Sequence, residues 1–125
     1  MIRSVVKRLE NFARFLEIAF KTKSLRTLCE SESVATAQFG EETATEFYSR
    51  LADIDAAESP EDLIAATLVE LPGRIPTFSL DFGSSYEIVF RANHPRAAPD
   101  GAIDISDIHR VQILSVNKKS GNSNE

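Results

Sequence analysis

The stretch from Thr77 to Asn93 constrains the fold more than any other. Phe78, Leu80 and Phe82 alternate with polar residues, Gly83, Ser84 and Ser85 interrupt the run, and Tyr86, Ile88 and Phe90 resume it. A period of two on both sides of a glycine-serine break predicts a β-hairpin with one apolar face. Glu87, Val89 and Arg91 then fall on the opposite face of the second strand, so polar chemistry borne by this sheet is displayed there and not in the core. A lone hairpin is marginal in water. The rest of the chain must therefore supply helices over the apolar face and further strand to widen the sheet.

Taken in order, the chain offers those elements. Val5, Leu9, Phe12 and Leu16 recur at helical spacing among Arg3, Lys7, Arg8 and Arg14, which predicts an amphipathic helix over residues 4–16 that packs on the domain or frays, with a basic helix for a membrane surface or a partner as the alternative. Leu16 to Phe20 is apolar enough for a short strand. Thr22 or Ser24 is placed to cap a helix that turns Leu25, Leu28 and Cys29 inward. Residues 30–40 are small and polar and read as a loop or a weak helical turn. Ala44, Phe47, Tyr48, Leu51 and Ile54 then recur at helical spacing, with Glu41 and Glu42 where the helix dipole favours negative charge. Ser59, Pro60 and Asp62 form a start signal for a short third helix carrying Leu63 and Ile64 and reaching toward Leu68. Pro72 and Gly73 end that segment and leave Arg74 in the turn before the hairpin. Residues 94–101, rich in proline and alanine, must be loop; Asp104, Ser106 and Asp107 suggest a turn, and Arg110 to Asn117 reads as a strand. The expected class is α+β, with one domain over residues 16–118, an N-terminal extension over 1–15 and a polar, disordered tail over 119–125.

Composition narrows the function. A chain of 125 residues can bury a core without metals or disulfides, and its 42% hydrophobic and 26% charged residues are ordinary for a globular domain. The lone Cys29 reads as a small buried hydrophobe, since nothing near it in sequence would activate a thiol. No apolar run approaches the roughly 20 residues of a membrane span, and the charges scattered through residues 1–20 leave no signal-peptide core; a cytoplasmic location is expected. Between Glu30 and Glu70 eleven acidic residues face only Arg50, within a net charge of −5. That balance excludes a broad phosphate-binding surface. Any RNA contact has to be local.

The familiar motifs for phosphate loops, zinc sites and serine hydrolases are missing from the sequence. His94 and His109 are too isolated in sequence for a metal site, which needs three or four converging ligands, and Asp104 and Asp107 read as capping or solvated carboxylates. No cofactor is expected. What remains is Arg74 before the hairpin, Arg91 on the outer face of its second strand and His94 just beyond. Arginines at one end of a twisted sheet can hold a phosphate, and a histidine beside them can move a proton during cleavage through a 2′-hydroxyl. Ordinary surface positions are the alternative for all three.

Several segments carry a family resemblance: LEIAFKTKSLRTLCESE at 16–32, RLADIDAAESPEDL at 50–63, LPGR at 71–74 leading into FSLDF, YEIVFRANHP at 86–95 and DGAIDISDIHRVQILSV at 100–116. In order and spacing they resemble the RelE and HigB toxins of type II toxin–antitoxin modules, in particular the plasmid-maintenance killer branch. The resemblance implies a RelE/ParE-like fold, a small antiparallel sheet with two or three helices on one face. It also implies a metal-independent mRNA interferase that acts on the ribosome and is held inactive by a cognate antitoxin. Pro72 stands where that family commonly has lysine, Glu87 where it has arginine, and Asn117, Lys118 and Lys119 where it has a tyrosine- and histidine-containing ending. A catalytically inactive interaction module that binds an antitoxin, and a topoisomerase inhibitor like the related ParE proteins, are the alternatives.

Overall fold

The computed structural model describes residues 15–66, 68–95 and 97–119; the expected helix over 4–16 lies outside them except for its last residues, as does the tail beyond Lys119. Strand β1 (Glu17–Phe20) is followed by helices α1 (Lys23–Glu30), α2 (Glu32–Phe39) and α3 (Glu41–Ala56), a 3₁₀ segment (Pro60–Ala66), and strands β2 (Val69–Leu71), β3 (Thr77–Phe82) and β4 (Tyr86–Ala92). A single 3₁₀ turn (Ile105–Asp107) leads into β5 (Arg110–Lys118). The five strands form one sheet in the order β1-β5-β4-β3-β2. The fold is α+β with a mixed sheet.

The hairpin is where the alternation puts it. Phe78 pairs with Phe90 and Leu80 with Ile88 in an antiparallel ladder, and all four are buried with Phe82 against the helices. β5 continues that face with Val111, Ile113 and Val116. Its pairing with β4 shifts between Val89 and Phe90, so that Val89 faces Ser115 and Phe90 faces Ile113, leaving Leu114 as the extra residue. This bulge is what lets Ile113 and Val116, three positions apart, share the core side.

Helix α1 starts where Thr22 accepts a hydrogen bond from the Leu25 N–H at 3.1 Å, which satisfies one of the free amides of the first turn. Leu28, Cys29, Ala35, Ala44, Phe47, Leu51 and Ile54 from the three helices join the strands in one core. An aromatic cluster lies under the hairpin turn. There Phe39 packs edge-on against Phe47, Phe82 and Tyr86 at centroid separations of 5.4, 5.3 and 5.0 Å. Gly83 in the turn has φ +61°, and its N–H donates to Glu46 Oε1 at 2.7 Å, tying the turn to α3.

Four features differ from the sequence expectation. Residues 32–39 form a full helix of eight residues where the sequence reads as a loop or a weak helical turn: Ser31 caps them through the Val34 N–H at 3.3 Å, and they bury little beyond Ala35. The Pro60 segment is 3₁₀ rather than α. The three-residue β2 adds an edge to β3, pairing Leu71 with Thr77. The sheet is mixed rather than antiparallel, because β1 runs parallel to β5 with Ile18 beside Val111.

Candidate functional site

The polar end of the sheet lies opposite the hairpin turn and is assembled by strand register. Thr77 pairs with Arg91 and Arg91 with Gln112. Beyond the last pair, the Ala92 N–H donates to the Pro76 carbonyl at 2.9 Å and the Asn93 N–H to the Arg110 carbonyl at 2.8 Å. Those two bonds fix the segments before β3, after β4 and before β5 side by side. The 3₁₀ turn that precedes β5 is closed by Asp104, whose carboxylate accepts from the Ser106 hydroxyl at 2.7 Å and N–H at 2.9 Å. The Ser106 hydroxyl, then its N–H, holds the exposed Asp104 carboxyl below its usual range. Asp104 is thus a capping residue.

Between the last two of these segments lies a pocket of about 270 Å³ lined by Asn93, His94, Pro95, Asp107, Ile108, His109 and Arg110. His94 is the one non-glycine residue with positive φ among those described, at +52°. Side chains with a Cβ enter that region rarely, and histidine is among the more tolerant. Its exposed imidazole therefore stands at a strained bend on the pocket wall. His109 is exposed as well, with Nδ1 3.3 Å from the Glu58 carbonyl oxygen. Its own carbonyl accepts from the Glu17 N–H at 2.9 Å, which anchors the start of β1 to the same wall. Arg110 Nε lies 3.5 Å from Glu17 Oε1, with both side chains more than half exposed.

The three residues singled out in the sequence reach this end of the sheet without sharing one pocket. His94 lines it. Arg91 lies on the outer face with Nε donating to Gln112 Oε1 at 3.2 Å, two residues along β4 from Asn93 and so roughly 7 Å from the pocket rim. Arg74 is exposed in the connection before β3 and does not line the pocket. His109 and Arg110, which sequence spacing leaves isolated, are the residues the fold adds. The signal for them is the register of the last strand: pairing Ala92 with Val111 places 93–95 beside 108–110.

Elsewhere on the outer face, Ser79 donates through its hydroxyl to Glu87 Oε1 at 2.7 Å. Cys29 is buried and its thiol is pushed up from 9.0 to about 12, first by burial and then by the Glu30 carboxylate, so it is an inert core residue. Among the described residues no group of three or more histidine, cysteine, aspartate and glutamate side chains is arranged to hold a metal ion, and no helix is long and apolar enough to cross a membrane. The chain matches no protein-family model, no curated protein and no solved structure.

Proposed function

We infer that the chain is a RelE/HigB-like toxin that stops translation by cutting mRNA on the ribosome, without a metal, and that a cognate antitoxin neutralises it. The observation that carries this reading is the gathering of Arg91, His94 and the arginine-bearing turn at one end of the sheet, beside a pocket that holds a second histidine and a third arginine. Arginine supplies a planar donor pair for phosphate and imidazole a proton carrier near neutral pH, the two requirements of phosphodiester cleavage through the 2′-hydroxyl. The helices on one face of a small sheet fit the fold that goes with this activity. The acidic surface of α3 leaves little room for nonspecific RNA binding, which suits an enzyme that meets its message on the ribosome.

A second reading has its own observation. Glu87 occupies a position where the resembled family has arginine, and its carboxylate is held on the outer face by Ser79; a fixed negative charge there repels phosphate. That favours a module of the same fold that contacts an antitoxin and cuts nothing.

Induced expression in bacteria lacking an antitoxin, with growth and mRNA 5′ ends followed, separates the two. The toxin reading expects growth arrest and new cuts in translated messages, both lost in an Arg74→Ala/Arg91→Ala double variant. Undisturbed growth and intact messages from well-folded protein would sink it in favour of the interaction module.

A further inference from the structure

We propose that His94 and His109 form a proton-transfer pair across the pocket at the sheet end, with Arg110 holding the ribonucleotide phosphate between them. This rests on the ribonuclease reading above and joins His109 and Arg110, which sequence spacing leaves isolated, to His94 in one site.

The chain has two histidines, and both line the same pocket. Chance placement would scatter two exposed side chains of positions 94 and 109, whereas the Asn93–Arg110 backbone bond holds their segments together. The tautomer of His109 follows from its partner. A carbonyl oxygen only accepts, so the Nδ1 that faces Glu58 carries the proton and donates it, and the lone pair of the neutral ring is on Nε2. His109 is thereby oriented as a base. His94 stands at a bend whose φ of +52° a side chain with a Cβ disfavours, and such strain gathers where side-chain placement matters. Among the described residues the Arg110 side chain is tied only to Glu17, through a solvated pair that a phosphate can displace. Asp107 lines the same wall and repels phosphate, which leaves retention of the anion to Arg110. A volume of about 270 Å³ is below the range usual for drug-sized ligands, roughly 300–1,000 Å³. It suits one sugar-phosphate unit.

The step balances without a co-reactant. The 2′-hydroxyl gives its proton to His109 Nε2 as its oxygen forms a bond to phosphorus. The bond from phosphorus to the 5′-oxygen breaks, and the departing oxygen takes a proton from the His94 imidazolium. The products are a 2′,3′-cyclic phosphate and a 5′-hydroxyl end, and exchange with water restores the two rings.

The test uses ribosomes programmed with a short message, natural or carrying one 5′-bridging sulfur at the cut site, since a thiolate leaves without being protonated. His109→Asn keeps a donor for the Glu58 carbonyl while removing the base, so its fold should persist, as checked by its amide spectrum. We expect it to lose about 100-fold or more on both messages. His94→Ala should lose a similar factor on the natural message and return to within about tenfold of the natural protein on the sulfur one. Equal cutting by His109→Asn and the natural protein would overturn the pairing, as would failure of sulfur to rescue His94→Ala. Those outcomes differ from intact messages with the natural protein, which would remove the ribonuclease reading itself.

Discussion

The two ends of the sheet are built on opposite terms. Under the hairpin turn, Phe39, Phe47, Phe82 and Tyr86 fill the space between α2, α3 and the strands. At the other end, the backbone hydrogen bond from Asn93 to Arg110 aligns two segments around an open pocket, and the side chains that line it are mostly polar. The first end is held by buried area and the second by chain register. The apolar packing and the polar pocket lining thus belong to separate residues, and substitutions at the pocket should be tolerated by a fold anchored elsewhere.

The sharpest challenge to that contrast is a pair of truncations. Phe47 is fully buried, and Phe47→Ala should cost about 3–5 kcal/mol in urea unfolding. His109→Ala should cost under about 1 kcal/mol, the worth of one exposed hydrogen bond; an equal loss in the two variants would erase the distinction. The thiol of Cys29 probes the packed side from within. Raised from 9.0 to about 12, it should alkylate roughly a thousandfold more slowly than an unfolded thiol near neutral pH, by its lower thiolate fraction. The linked pH dependence has a definite sign: the folded state keeps this proton where the unfolded chain has lost it, so the contribution is complete below pH 9 and falls away as pH rises toward about 12. Stability that rose across that window would contradict burial of the group.

Smaller effects distinguish the two turns. A methyl at Gly83 would meet Thr43 Cγ2 at 3.0 Å, in a backbone conformation that disfavours it, so Gly83→Ala should destabilise by about 1–2 kcal/mol. At the pocket the same reasoning reverses. His94→Gly should unfold at higher urea than His94→Ala, by up to about 1 kcal/mol, because glycine accepts φ of +52° without penalty. If the alanine variant proved the more stable, the bend at His94 would hold no strain.

How far the sequence could be read follows the same division. The hairpin, α1 and α3 were legible because each buries one face with an unbroken period, as in Phe78, Leu80 and Phe82 or in Phe47, Leu51 and Ile54. Helix α2 was not: ESVATAQF sends little but Ala35 and Phe39 inward, and its cap, Ser31, sits among other serines. β2 is three residues long with Val69 half exposed, too short for alternation to register. The parallel union of β1 with β5 joins segments about ninety residues apart, and no local pattern encodes such a partner. For that reason Arg91 and His94, next to the hairpin, could be proposed as site residues from the sequence, while His109 and Arg110 could not. Their place depends on which strand lies next to which.

That union also orders events in time. The lining contributed by residues 107–110, and the Glu17 amide that anchors it, meet only when β5 inserts between β1 and β4. Pairings between segments so far apart in sequence are as a rule slow to form. A nascent chain can form its helices and hairpin while the pocket does not yet exist, so whatever the pocket does begins only after residues 110–118 have left the ribosome and docked.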